Sequence, residues 1–326
     1  MQAVVMREFG AAEVLRAESV REPAPRPGWV TVGLRASSLN WHDVLVREGR
    51  YGSPLPHVLG ADGAGVRTDT GEEVVILPSL WWGHGESAPG ADFEILGDRR
   101  WGTYAELVQV PTGCVAPKPT GLSWEQAAAL PLVGVTTYRA LLPRGRLQRG
   151  ESLLVLGSGG GVATMAVSLA SGIGARVVVT SSSPDKITQA KALGAADGVL
   201  YTDDDWPDQA RALSPGEAGF DVVLDPVGSW QGSLRCLKPG GRLVVLGASR
   251  ADSVVLEPRA FYFGQYELIG TTMGSPRDFA ALLRLLDTHD VRPLPISATF
   301  SLDGAADAHR FLEQGRGFGK VVLTQS

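Results

Sequence analysis

Past residue 150, short apolar runs separated by helix-like stretches dominate the chain. Runs at 153–157, 175–180, 198–201, 221–225, 242–247 and 267–271 have the length and branched character of buried strands. Helical segments between most of them predict a doubly wound parallel sheet. Residues 1–120 have a different texture. Strand-like runs at 2–6, 29–36, 73–77 and 104–110, broken by Pro and Gly, predict a mostly β domain. The texture changes at Ser123, an N-cap candidate before Trp124-Glu125-Gln126 and three alanines. Beyond Thr272 the pattern predicts a helix at 276–288, a strand at 297–300, a helix at 305–314 and a strand at 320–324. The expected organisation is an α/β segment, 123–271, inserted into a β domain whose parts are 1–122 and 272–326.

The loop after the first of these later strands is Gly157-Ser158-Gly159-Gly160-Gly161, followed by an Ala/Val/Met/Leu-rich helix. Strand, glycine turn and helix form the unit that holds a dinucleotide pyrophosphate on a helix N-terminus. Glycines suit it because the turn is tight and the backbone must reach phosphate oxygens. Read as G-x-G-x-x-G from Gly157, the motif ends on the bulky Val162. Read one residue later it becomes Ser158-x-Gly160-x-x-Ala163, with a serine in place of the first glycine. Ser158, Gly160, Gly161 and Val162 are the expected pyrophosphate contacts.

The second strand of this unit ends in Thr180-Ser181-Ser182-Ser183, with no acid until Asp185. An NAD site usually carries a carboxylate here for the ribose 2′-OH. Ser181, Ser182 and Lys186 instead suit a 2′-phosphate, which a carboxylate would repel. NADPH is therefore the expected cofactor. A plainer reading also holds: Ser183 as N-cap and Pro184 at the first helical position start a helix that carries Lys186.

Composition narrows the class. The 326 residues are 44% hydrophobic and 20% charged, with a formal net charge of −5. That is ordinary globular composition with room for two domains, and without a basic run it argues against nucleic acid as a partner. No apolar stretch has the length of a membrane span. With only Cys114 and Cys236, far apart, the chain reads as cytoplasmic and reduced.

The chain resembles the medium-chain dehydrogenase/reductases over nearly its whole length. The resemblance is carried by Ser38-Leu39-Asn40-Trp41-His42-Asp43, by Pro56-His57-Val58-Leu59-Gly60-Ala61-Asp62-Gly63-Ala64-Gly65, and by Leu130-Pro131-Leu132-Val133-Gly134-Val135-Thr136-Thr137. It continues through Ala192-Leu193-Gly194-Ala195 and Gly317-Phe318-Gly319-Lys320-Val321-Val322-Leu323. It implies a GroES-like β domain with an inserted Rossmann domain, and a homodimer.

The superfamily divides by zinc. Where its alcohol dehydrogenases carry zinc ligands, this chain has Asn40, Ala61 and Val133. Ala and Val offer no lone pair, and an Asn carbonyl is a poor zinc ligand. The lobe that holds structural zinc in that branch begins here at Leu80-Trp81-Trp82 and contains no cysteine. His42, His57 and His84 suggest a metal cluster only weakly, since no Cys lies beside them, and His42 and His57 read more readily as turn or packing histidines.

Without zinc, the resemblance is to quinone oxidoreductases and related enoyl reductases. Asn40, Asp43, Arg47, Gly49 and Tyr51 match that branch's N-x-x-D-x-x-x-R-x-G-x-Y spacing. Leu45 stands where several quinone reductases carry tyrosine, which departs from a specific quinone site. The resemblance implies Asn40 beside the nicotinamide. It also implies Thr136, Leu246, Gly247 and Gly270 along the nicotinamide and its ribose, Lys186 and Tyr201 flanking the 2′-phosphate, and Lys320 at the pyrophosphate. Asn40 and Tyr51 are the candidate catalytic residues, one orienting or polarising and the other donating a hydroxyl proton. Solvent is an alternative proton source, since no His/carboxylate pair is evident in the sequence. Trp41, Trp82, Phe261 and Tyr262 are candidates for an apolar substrate wall, against a plain packing role for each. The expected activity is hydride transfer to a conjugated carbonyl. An alcohol dehydrogenase of the same superfamily and a non-catalytic NADPH-binding protein are the alternatives.

Overall fold

A computed structural model describes residues 1–248 and 253–325. The chain divides into two compact units. One comprises Met1–Val135, Gly274–Arg284 and Pro293–Ser326, the other Thr136–Met273 and Leu285–Arg292.

The first unit begins with strands β1 (Gln2–Met6), β2 (Arg16–Ser19) and β3 (Trp29–Ser38), then helix α1 (Trp41–Arg47) and β4 (His57–Val58). After β5 (Asp62–Arg67), β6 (Glu73–Ile76), β7 (Ser79–Leu80), β8 (Glu94–Ile95), β9 (Leu107–Pro111) and β10 (Val115–Pro117) comes helix α2 (Trp124–Ala129). Ser123 caps α2 as its sequence predicts: its hydroxyl accepts from the Gln126 N–H, and the Gln126 side chain accepts from the Ser123 N–H.

Strand β3 shows how pattern becomes site. Val30, Val32 and Leu34 alternate inward and pack with Val74, Ile76, Val108 and Val110. Each such side chain stabilises the fold by about 1.5–3 kcal/mol on burial. At Ala36 the alternation stops, and Ala36, Ser37 and Ser38 are all buried. The strand has entered an interior where both faces are covered, and the polar residues that follow it are enclosed.

The second unit follows helix α3 (Pro131–Arg139), which crosses the boundary. Its strands are β11 (Ser152–Val155), β12 (Arg176–Ser181), β13 (Asp197–Leu200), β14 (Phe220–Asp225), β15 (Leu237–Val245) and β16 (Glu267–Gly270). The helices between them are α4 (Gly161–Gly172), α5 (Pro184–Leu193), α6 (Trp206–Ala212), α7 (Trp230–Cys236) and α8 (Pro258–Phe263). Every strand pair is parallel, in the order β13-β12-β11-β14-β15-β16. The order reverses at β11, so the carboxyl ends of β11 and β14 flank a topological switch point, where open α/β sheets bind ligands.

Helix α9 (Pro276–Thr288) leads to β17 (Ile296–Ser301), α10 (Ala305–Glu313) and β18 (Lys320–Thr324). The last two strands complete the first unit's seven-stranded sheet, with β18 between β3 and β17.

Two expectations about boundaries are corrected. The first break falls at 135/136 instead of 122/123, because α2 packs on β3, β5 and β18 and so belongs to the β unit. Residues 285–292, expected in the C-terminal return, group with the second unit.

Candidate active site

Strand register assembles a buried polar cluster in the first unit. Ser38 pairs with Asp62 across β3 and β5, and with Val322 across β3 and β18. Leu39 N–H donates to Val321 O, which holds the next residue, Asn40, beside the start of β18. Asn40, Asp62 and Lys320 thereby meet, each at most 6% exposed. Asn40 Nδ2 donates to Asp62 Oδ2 at 2.9 Å, and Asn40 Oδ1 accepts from Lys320 Nζ at 2.5 Å. The donor-only ammonium and the acceptor-only carboxylate fix which way the amide points. Asp62 also accepts from Lys320 Nζ at 3.2 Å, Ser38 Oγ at 3.1 Å and the Leu132 N–H at 2.7 Å.

The two residues expected to touch cofactor here thus have protein partners. Lys320, expected to reach a pyrophosphate, has its ammonium buried against Asp62 and Asn40 instead. Burial lowers its pKa, and the Asp62 charge only partly offsets this.

The spacing from Asn40 to Tyr51 has a structural explanation. Asp43 Oδ2 accepts the Asn40 N–H at 2.7 Å and caps α1. Burial pushes the Asp43 carboxyl up to about 6. Arg47, 1% exposed, makes a bidentate pair with Glu313 at 3.1 and 2.7 Å, tying α1 to α10. Its Nη1 lies 3.2 Å from His309 Nδ1. That nitrogen must accept, so the proton sits on Nε2 and is donated to Tyr104, whose hydroxyl lies 3.2 Å away and 3.3 Å from Asp43. Burial, and then the Arg47 charge, hold His309 down at about 3, a neutral imidazole. Gly49 has φ +83, and a Cβ there would lie 2.9 Å from the Phe9 ring. Of the spaced residues only Tyr51 reaches the surface, 47% exposed.

Tyr51 packs its ring edge on His42 with centroids 4.5 Å apart. His42 Nε2 pairs with Asp98, a partner 56 residues away that periodicity does not reveal. Burial lowers the His42 pKa, but the Asp98 hydrogen bond and charge outweigh it and leave it raised. Trp41, next to His42, is 49% exposed. Trp82 is a core residue: its indole N–H donates to Gly85 O and its ring packs edge-on against Phe93. His57 donates from Nε2 to Gly97 O at 2.7 Å, and His84 is exposed. Among the described residues no group of three or more His, Cys, Asp or Glu gathers to hold a metal. Ala61 and Val133 are buried hydrocarbon. Burial raises the Cys114 thiol to about 11 and the Cys236 thiol to about 12, so neither is a thiolate at neutral pH.

In the second unit, Gly157 has φ +80 and makes the turn after β11. Gly160 caps α4, and a Cβ built there meets nothing within 4 Å. Ala163 is buried. The motif thus reads Gly157-x-x-Gly160-x-x-Ala163, combining both frames with one extra residue in the turn. Gly161 and Val162 form the first turn of α4, both half-buried. Ser158 Oγ is buried with no hydrogen-bond partner among the described residues, as is Thr271 Oγ1 just past β16. An unsatisfied buried hydroxyl costs about 1–3 kcal/mol, which a ligand's acceptor would relieve. An open glycine cradle on a helix N-terminus, with an orphaned hydroxyl in the same turn, fits a dinucleotide pyrophosphate.

Other expected cofactor residues lie at the same sheet edge. At the end of β12, Ser181 accepts the Ser183 N–H at 3.2 Å, Ser182 is exposed and Lys186 is half-buried on α5. Tyr201, half-buried, follows β13 and donates its N–H to Ser181 O. Leu246 and Gly247 follow β15, and a Cβ on Gly247 would lie 2.4 Å from Pro226 O. Gly270 ends β16 with open space above it. Thr136 Oγ1 donates to the Met273 sulfur at 3.7 Å. One residue at this edge escaped sequence reasoning: buried Asp225 accepts from the Val227 and Gly228 N–H groups and from Ser233 Oγ, fixing the loop after β14.

Comparison with known proteins gives the fold and this sheet edge a family. Residues 26–120 match the alcohol dehydrogenase GroES-like domain, and 161–288 match the zinc-binding dehydrogenase family. The chain is 34% identical to a 2-methylene-furan-3-one reductase of Solanum lycopersicum, over 99% of this chain and 79% of that protein. It is 31% identical to a quinone oxidoreductase of Pseudomonas aeruginosa, over 97% of each. A solved structure described as an NAD-dependent alcohol dehydrogenase superposes with a TM-score of 0.94 at 39% identity, over all of both chains. The chain belongs to the medium-chain dehydrogenase/reductase superfamily and is an oxidoreductase of that family, whose members bind a nicotinamide cofactor. Among the described residues no helix is long and apolar enough to cross a membrane.

Proposed function

We propose that this protein is a zinc-independent, NADPH-dependent reductase of conjugated carbonyls, enones or quinones. The observation that carries the reading is the donor set at the zinc-branch ligand positions. Ala61 and Val133 offer no lone pair, and the Asn40 carbonyl already accepts from Lys320. When bound, the reduced nicotinamide supplies hydride. A conjugated acceptor spreads the resulting negative charge onto oxygen without strong Lewis-acid help, whereas a saturated ketone gives a localised alkoxide. The names of two relatives agree: one is a reductase of a carbonyl conjugated to an exocyclic methylene, the other a quinone oxidoreductase.

For the chain's own residues, Gly160, Gly161, Val162 and Ser158 would hold the pyrophosphate. Ser181, Ser182, Lys186 and Tyr201 would hold the adenosine 2′-phosphate, with no carboxylate at the end of β12 to repel it. Thr136, Leu246, Gly247 and Gly270 would line the nicotinamide and ribose. Asn40, its orientation fixed by Asp62 and Lys320, keeps one N–H to orient the nicotinamide or polarise the carbonyl.

Binding titrations test the cofactor assignment. NADPH should bind more tightly than NADH, and Lys186→Ala should narrow the gap by about 1.5–3 kcal/mol. Equal affinities in the parent would reject it. A second reading, an NAD-dependent alcohol dehydrogenase, is favoured by the name of the 39%-identical solved structure. Against it stand the hydrocarbon side chains of Ala61 and Val133.

A further inference from the structure

We infer that His42, oriented by Asp98, is the proton donor of the reduction, with Tyr51 forming the wall beside it. The inference rests on the reductase reading above and adds the residue that reading lacks. Reducing an enone requires a proton as well as a hydride. The hydride, with its electron pair, forms a C–H bond at the β-carbon, and the π pair of the C=C bond moves to give an enolate. A proton from the imidazolium then forms the C–H bond at the α-carbon, leaving neutral imidazole that solvent reprotonates. Reduced nicotinamide and one proton are consumed; oxidised nicotinamide and the saturated ketone are formed.

Four histidines lie in this unit; His84 is exposed on the surface, the other three occupy different environments, and only one suits that role. His309 is fully buried against the Arg47 guanidinium and is neutral. His57 is fully buried, bonded to a backbone carbonyl, and burial lowers its pKa. His42 has a carboxylate partner in Asp98, and its side chain is 12% exposed, sheltered but reachable. Nε2 is committed to Asp98, while Nδ1 has no protein partner among the described residues. A carboxylate on one ring nitrogen and a free N–H on the other is the arrangement of an oriented general acid. The charged and titratable groups facing the ring are Asp98, Asp43 and the Tyr51 hydroxyl. The two carboxylates favour the imidazolium, whereas Tyr51 is neutral at physiological pH because burial raises its pKa further. The exposed faces of Trp41 and Tyr51 on either side of His42 in the sequence supply apolar surface for the substrate.

The test uses the full-length protein with NADPH and a small enone. In the parent, kcat should fall as pH rises through the His42 pKa, which lies above the ordinary value of about 6.5. His42→Asn should lower kcat about 100-fold, the scale of a lost general acid, and abolish that limb of the profile. NADPH affinity and circular dichroism should match the parent. Asp98→Asn, which removes the hydrogen-bonded charge that raises the pKa most and leaves only Asp43, should move the limb to lower pH. Proton NMR of the His42 ring should show the same downward shift without any turnover. Parental kcat and pH profile in His42→Asn would overturn the inference, as would an unchanged His42 titration in Asp98→Asn. A parent that binds NADPH but turns over no conjugated carbonyl would instead reject the reductase reading, while the NMR arm would still report on the pair.

Discussion

Replacing Asp62 with Asn should destabilise the first unit more than replacing Lys320 with Met, although both remove one half of the same pair. Lys320 Nζ has two partners, Asp62 at 3.2 Å and Asn40 at 2.5 Å, and is 2% exposed. At that separation the charge attraction is about 5 kcal/mol for an effective dielectric of about 20. Removing the carboxylate leaves an ammonium in the interior with Asn40 Oδ1 as its hydrogen-bond partner and only the more distant Asp43 charge to offset it, a change that typically costs about 3–5 kcal/mol. Removing the ammonium is milder. Asp62 keeps Ser38 Oγ, Asn40 Nδ2 and the Leu132 N–H, so its charge stays solvated by three donors. We expect Lys320→Met to cost about 1–2 kcal/mol, the scale of one charged hydrogen bond. In the double variant the orphaned charge is gone, so its cost should fall below the sum of the singles by at least about 1.5 kcal/mol. Urea unfolding of the four proteins, followed through the first unit's transition, measures all these terms. A cost below about 1 kcal/mol for Asp62→Asn, or additivity within about 0.5 kcal/mol, would refute the argument that this pair is buried and coupled.

Acid should act on His309, whose pKa is about 3 in the folded chain against an ordinary value of about 6.5. A depressed pKa means stability that is present above about 6.5 and lost as pH falls toward 3, about 2 kcal/mol of it by pH 5. His309→Gln should flatten the unfolding free energy between pH 7.5 and 5 by that amount, and an unchanged slope would contradict the neutral buried imidazole. Gly160→Ala should leave stability within about 0.5 kcal/mol, because its Cβ would meet no atom of the described residues within 4 Å. The same methyl should weaken nicotinamide-cofactor binding at least about tenfold by filling the space a pyrophosphate needs. Parental affinity in that variant would place the cofactor elsewhere.

Much of the architecture was legible in the sequence because buried parallel strands are continuous apolar runs. The six runs from 153 onward became β11 to β16 with small shifts at the ends, except that β15 begins at Leu237, well before the predicted 242, and the predicted helix at 276–288 is α9. Strand β2, with sequence RAES, was missed because an exposed edge strand has no apolar signature. The predicted strand at 104–110 starts instead at Leu107; Tyr104 precedes it, pairing its backbone with Leu59 and Val4 in a buried loop. The change at Ser123 was a helix cap and not a domain break: capping chemistry is local, whereas a domain boundary depends on what the helix packs against. The candidate site was only half legible. Asn40, Tyr51 and the glycine turn stand out as motifs, but Asp62 and Lys320 are brought to Asn40 by strand register across 22 and 280 residues. Asp98 reaches His42 from a lobe whose sequence attracts notice only for its lack of cysteine. Periodicity records which side chains are inside and carries no information about which polar ones meet.

The most direct test of the central claim is NADPH oxidation by protein dialysed against a strong chelator, with a small enone and its saturated ketone compared at equal concentration. The account predicts undiminished turnover after dialysis, at least about a hundredfold faster with the enone, because a zinc-independent site would rely on the conjugated acceptor itself to delocalise the charge. Activity lost with stoichiometric zinc and restored by its return, or equal rates on enone and saturated ketone, would contradict it.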